Sequence, residues 1–183
     1  MSLTKTQRSL VLIAAVALAP IVASYAAYYF WPRDARVNYG DLIAAPAPEI
    51  KGLRLDGSTF RLSDLRGKWL VVFASGGECD AACEKTLYAT RQARTMQGRD
   101  QGRITRVWLA TGGATPAPAR LGDHPGLEVV RAESDTPALF PGARGRSYLI
   151  DPLGNLVLSW PADPDVKALA KDLERLLRAS QIG

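Results

Sequence analysis

From Ser9 to Trp31 the chain reads SLVLIAAVALAPIVASYAAYYFW, 23 residues without a charge. A helix that is apolar on every side needs apolar surroundings on every side, and at this length it spans the roughly 30 Å of a bilayer's hydrocarbon core. Lys5 and Arg8 precede the run, and Tyr28, Tyr29, Phe30 and Trp31 close it with rings suited to headgroup depth. Pro20 falls inside it, a kink that membrane helices tolerate. A cleaved secretory signal is the competing reading. Signal cores run to about 7–15 apolar residues and end in small cleavage-site residues, whereas this run is longer and ends in bulky aromatics. A retained anchor is therefore expected. Arg33 and Arg36 balance Lys5 and Arg8 in the positive-inside count, and a short inner arm with the domain outside is the expected orientation.

The anchor divides the chain of 183 residues into an arm (1–8), a membrane segment (9–31), a tether (32–48) and a domain (49–183). The tether PRDARVNYGDLIAAPAP mixes charge, proline and alanine. The net charge of +5 comes from scattered arginines with no basic run, so no nucleic-acid partner is expected.

Within the domain, Leu53, Leu55, Phe60 and Leu62 alternate around Asp56-Gly57, the signature of a hairpin. SDLRGK supplies a helical turn with Ser63 as its expected cap. KWLVVFAS is continuously apolar, as a strand covered on both faces must be. Asp80 to Met96 is a helix candidate with Gly98 placed to end it. RITRVWLA reads as a second buried strand, the Gly- and Pro-rich 111–126 as a loop or at most a broken helix, and LEVVRA as a short strand. RSYLIDPLGNLVLSW then gives a hairpin. In the last segment Val166, Leu169, Leu173, Leu176 and Leu177 form one helical stripe. This order predicts an α/β fold with a central mixed sheet flanked by helices.

Cys79 and Cys83, the two cysteines of the chain, stand between the apolar strand and the helix that follows it. Four positions apart at a helix start, their sulfurs can share a disulfide or clamp a soft metal ion. The helix N-terminus favours thiolates, whereas Glu78, Asp80 and Glu84 disfavour them, so any redox activity is expected in the reducing direction. A plain structural disulfide is the bland alternative, although so short a loop gains little chain entropy from closure.

These residues carry a resemblance. LDGSTFRLSDLRGKWLVVFAS, the Cys79-Asp80-Ala81-Ala82-Cys83 spacing, SYLIDPLGNLVLSW and the anchor together resemble the thioredoxin superfamily over residues 46–178, and within it the Sco family of copper-handling proteins that assist cytochrome c oxidase assembly. The three-residue gap between the cysteines separates it from thioredoxins and TlpA-like reductases, which use two. The resemblance implies a thioredoxin-like fold, Cys79 and Cys83 as catalytic thiols and as metal ligands, and an oxidase subunit or another assembly factor as partner. It also implies a single-pass inner-membrane location with the domain in the periplasm. The chain departs from the Sco pattern in PGARGRSYLID, where the stretch around Ala143 offers no copper-ligating histidine and no proline stands just before the strand. Two thiolates without imidazole suit Cu(I) better than Cu(II). A general thiol–disulfide reductase and a non-catalytic docking module remain as rivals, so enzymatic status stays open.

The remaining candidates have plain readings. His124, the single histidine, sits in a loop and is expected to be solvated; Met96 is expected to fill the core or a groove. Asp163 and Asp165 are expected to cap the last helix, and TGGAT lacks the Gly-Lys-Ser/Thr ending of a phosphate loop. Trp69, Trp108 and Trp160 are expected in the core.

Overall fold

The computed structural model describes residues 4–30, 37–117, 121–142, 145–180 and 182. Trp31, Arg33, Arg36 and Ala143, which the sequence reading used, lie outside the described residues. The chain divides into two compact units, Met1–Val37 and Asn38–Gly183. In the first, helix α1 (Lys5–Phe30) contains Pro20 and has no buried residue. It is long and apolar enough to cross a membrane.

The second unit is built on one eight-stranded sheet. In chain order the strands are β1 (Asp41–Pro46), β2 (Lys51–Arg54), β3 (Thr59–Arg61), β4 (Trp69–Gly76), β5 (Ile104–Thr111), β6 (Leu127–Ala132), β7 (Ser147–Ile150) and β8 (Asn155–Trp160). The two long helices of this unit among the described residues are α2 (Ala81–Thr95) and α3 (Val166–Ala179). The sheet order is β1-β8-β7-β4-β5-β6-β2-β3. It is mixed, as expected: β4 pairs with β5 in parallel and with β7 antiparallel.

The apolar run of β4 has the cause inferred for it. Leu70 and Val72 enter one cluster with Ile50, Phe60, Val107 and Ile150. Trp69 and Val71 enter a second with Trp160, Leu169 and Leu173 from the α3 side, and Phe73 a third with the cysteines, Leu87 and Trp108. Successive strand residues thus feed opposite faces, each buried Leu, Val or Phe contributing about 1.5–3 kcal/mol of transfer free energy. Trp69, Trp108 and Trp160 are all buried.

The hairpin turns at Asp56-Gly57, where Gly57 adopts φ +84° and the Asp56 carboxylate accepts from the Ser58 N–H at 2.8 Å. Asp165 caps α3 by accepting from Ala168 N–H at 2.7 Å; Asp163 instead pairs with Lys85 at the surface. Ser63 does not cap its turn. It lies inside the 3₁₀ segment Leu62–Leu65, and its hydroxyl donates to Glu49.

Part of the stretch read as tether is strand. Residues 41–46 form β1 along the edge strand position beside β8, with an irregular register between Leu42 and Ala45. Its entry is fixed by Asp172 of α3, a buried carboxylate that accepts from Tyr39 N–H (3.1 Å), Gly40 N–H (2.8 Å) and Trp160 Nε1–H (3.0 Å). Gly40 is required there, since a Cβ would press on the Trp160 ring and the Ser159 carbonyl.

Candidate functional site

β4 ends at Gly76, and the chain must reverse to start α2 across four residues. Gly77 makes this possible: its N–H donates to the Thr111 carbonyl at 3.1 Å, and a Cβ at this position would overlap the Ala114 carbonyl oxygen. The turn then closes with Cys79 N–H donating to Gly76 O at 3.0 Å. Cys79 is left at φ +51°, the one described residue other than glycine in left-handed backbone. That conformation costs an L-residue about 1–2 kcal/mol, and the strain therefore falls on a cysteine.

Asp80 is the N-cap of α2. Its carboxylate accepts from the Cys83 N–H at 2.9 Å and its carbonyl from the Glu84 N–H at 2.9 Å. Cys79 thus stands one position outside the helix and Cys83 at its third residue. The structure joins them by a disulfide, with Cα atoms 5.1 Å apart. Both side chains are buried, at 5% and 3% exposure, against Phe73, Leu87, Trp108 and Val129. Phe73 and Trp108 stack with centroids 6.2 Å apart, and the Trp108 indole N–H donates to Ser75 Oγ at 2.9 Å.

A groove of about 330 Å³ opens beside the disulfide, lined by Ser75, Asp80, Cys83, Thr86, Pro137 and Gly145 among others. In β7 the Tyr148 hydroxyl donates to Pro141 O at 2.8 Å and its ring stacks on Phe140. Burial pushes the Tyr148 hydroxyl's pKa up, so the donor form persists across the neutral range. The arrangement sets a disulfide beside a cleft.

The other sequence candidates are elsewhere. His124 lines a separate groove with Leu121, Leu127 and Glu128 and is half-buried rather than solvated. Met96 is exposed at the C-cap of α2, on a groove wall and not in the core. Arg146, the residue before β7, donates to Ser159 Oγ at 2.8 Å and pairs with Asp41, tying β8 to β1. Among the described residues no group of three or more His, Cys, Asp or Glu converges as a metal cluster would.

Sequence reasoning placed Asp80 beside the cysteines as a charge and missed its role as cap. An aspartate three positions before Cys83 has N-cap-to-N3 spacing, which was the available signal. The close approach of Gly77 to Ala114 is a contact that no local sequence pattern encodes.

Comparison with curated protein sequences gives no significant match. Solved structures give many. Bradyrhizobium japonicum ScoI with copper bound is similar with a TM-score of 0.56 and 19% identity, covering 72% of this chain and 99% of its own. Yeast Sco1 with copper bound gives a TM-score of 0.63 at 16% identity over 74% of this chain and 94% of its own. A thiol:disulfide interchange protein from Bacteroides sp. gives 0.58 at 18% identity over 75% and 91%. At these identities the likeness establishes the fold, and it is a thioredoxin-like one. The family model described as transmembrane-like, thioredoxin-like, C-terminal domain matches residues 69–180, from the first residue of β4 past the end of α3, and the chain belongs to that family.

Proposed function

We propose that this is a Sco-like assembly protein whose Cys79–Cys83 pair cycles between disulfide and dithiol, serving cytochrome c oxidase copper-centre assembly by reducing a partner's cysteines or by handing over Cu(I). The observation that carries the reading is the disulfide at the head of α2, opening on a groove. A staple at this place needs neither a cleft nor a strained cysteine. The copper-bound Sco structures among the fold's neighbours support the metal half of the proposal. In the proposed setting α1 anchors the chain in the inner membrane as a single span, with the domain on the periplasmic side.

Copper enters as cargo. The oxidised pair offers no thiolate, so loading requires reduction first, after which two soft sulfurs one helical turn apart suit the low coordination number that Cu(I) accepts. Loading then releases protons and strengthens as pH rises. A second reading, a general thiol–disulfide reductase, is favoured by the thiol:disulfide interchange protein of the same fold.

Two measurements on the protein in detergent separate them, a Cu(I) competition titration and a reduction potential of the cysteine pair. Competition with a colorimetric Cu(I) chelator should show one equivalent of Cu(I) bound by the reduced protein and none by Cys79→Ser/Cys83→Ser. A strongly reducing couple with no stoichiometric Cu(I) would instead identify the reductase, and an inert disulfide with no Cu(I) would leave only a docking role.

A further inference from the structure

The thiol–disulfide reading leaves one face of the domain without a role. On α3, Lys167, Lys171, Glu174 and Arg178 recur at helical spacing and form one exposed stripe, turned away from the buried Leu169, Leu173 and Leu177. The stripe lines a groove of about 550 Å³ together with Met96, at the end of α2, and Arg99, in the 3₁₀ segment Gly98–Arg103 that follows. Both acids of the groove are already paired, Glu174 with Arg178 and Asp100 with Arg103 at 3.5 Å. The side chains of Arg99, Lys167 and Lys171 have no ion pair or hydrogen bond among the described residues. Three cations are therefore left over beside the exposed thioether of Met96.

The chain enters the domain at the same helix. Arg175 donates to Asn38 Oδ1 at 2.9 Å, and Asp172 accepts from the Tyr39 and Gly40 N–H groups. Between Phe30, the last residue of α1, and Asn38 lie only residues 31–37, a stretch that reaches at most about 28 Å when fully extended. A bilayer that holds α1 is thus covalently kept within that distance of Asn38. So short a tether makes docking intramolecular, at an effective concentration of about millimolar. Each Lys or Arg brought to an anionic lipid surface strengthens binding about fivefold, so three free cations suffice.

We propose, resting on the reading of α1 as a membrane anchor, that this face of α3 docks on anionic phospholipid headgroups of the same membrane, with Arg99, Lys167 and Lys171 against lipid phosphates and Met96 among them. An acidic protein surface would match the charge, but the tether keeps no such surface within reach of α3. Docking here also leaves the redox site free. The cysteines are outside this groove, at the head of α2, and Met96 follows the far end of that helix, whose 15 residues rise about 22 Å.

The test uses the full-length, oxidised protein in vesicles. Met96→Cys carries a fluorophore on the face while Cys79–Cys83 stays closed, and Ser58→Cys carries it in the β2–β3 hairpin at the far edge of the sheet. The vesicles are phosphatidylcholine alone or an equal mixture with phosphatidylglycerol, each doped with a headgroup spin label that quenches nearby fluorophores. Quenching at position 96 should rise about threefold or more when phosphatidylglycerol is present, and stay low at position 58. It should fall back in about 1 M sodium chloride, where the Debye length is about 3 Å, without any charge substitution. The exposed double variant Lys167→Glu/Lys171→Glu should abolish the rise as well. Equal quenching in both lipids, or a rise that survives salt and charge reversal, would overturn the proposal. A label at position 96 that vesicles leave bright but polyglutamate shields would overturn it in favour of an acidic protein. Alkaline carbonate separates the two readings: a chain that washes off the vesicles removes the anchor and the docking together, whereas a retained chain with an unquenched label removes the docking alone.

Discussion

Two aspartates show how differently this domain uses one kind of side chain. Asp172 is 2% exposed, lies on α3 and receives three N–H donors from Tyr39, Gly40 and Trp160. Asp80 is exposed, sits at the start of α2 and accepts from the Cys83 backbone. The first satisfies a buried corner completely, and its loss would orphan donors in the core. The second satisfies a helix end beside a strained cysteine. One carboxylate is closed off from water, and the other is left at the edge of a cleft.

The comparison breaks first at Asp172. Asp172→Ala leaves the indole N–H and two backbone N–H groups without their acceptor, and should cost about 3–5 kcal/mol, comparable to removing one member of a buried charged pair. Urea unfolding followed by tryptophan fluorescence measures it. A cost near zero would mean that water replaces the carboxylate.

Arg106 offers the opposite case, a buried group poorly served by its surroundings. Its Nη2 donates to Pro125 O, but Nε and Nη1 have no partner among the described residues. Burial, with Arg94 and Arg91 nearby, pushes its pKa down to about 10. A base with a depressed folded-state pKa penalises the fold while it is charged, and the penalty lifts as pH rises through that value. Arg106→Met should therefore stabilise the domain at neutral pH by about 1–3 kcal/mol in the same urea titration, with the gain shrinking above about pH 10. Equal stability at both pH values would show the guanidinium to be fully compensated.

At the redox corner the expected stability effects are smaller and the chemical ones larger. Gly77→Ala forces the turn away from Ala114 and should cost about 1–3 kcal/mol, with a changed rate of disulfide reduction. Asp80→Ala removes the cap and should cost about 1 kcal/mol. Asp80→Asn keeps a capping oxygen and removes only the charge. It should leave stability within about 0.5 kcal/mol while shifting the equilibrium with dithiothreitol several-fold toward the dithiol. If Asn and Ala shift that equilibrium equally, the cap rather than the charge sets it.

Much of this was legible because it is local. The Asp56-Gly57 turn, the two-sided apolar run of β4 and the Leu169/Leu173/Leu177 stripe each declare themselves within a dozen residues. β1 does not: DLIAAP is almost entirely exposed and without alternation, and its partner β8 arrives about a hundred residues later. The Asp172 corner is hidden for the same reason, since its donors come from two separate segments, Tyr39-Gly40 and Trp160. At the site, the spacing of Cys79 and Cys83 allowed the disulfide but said nothing of the groove beside it. That depends on Gly145, Pro137 and Ala162, residues brought in by the fold.

The central claim is that Cys79–Cys83 is a working couple and not a staple, and counting thiols in the folded protein tests it most directly. Full-length protein is treated with mild reductant, alkylated and weighed, with far- and near-ultraviolet circular dichroism recorded in parallel. The account predicts a gain of two alkylated thiols with an unchanged folded spectrum, and their loss again when oxidant is added before alkylation. Thiols that appear only once the fold is lost would contradict it and make the disulfide structural.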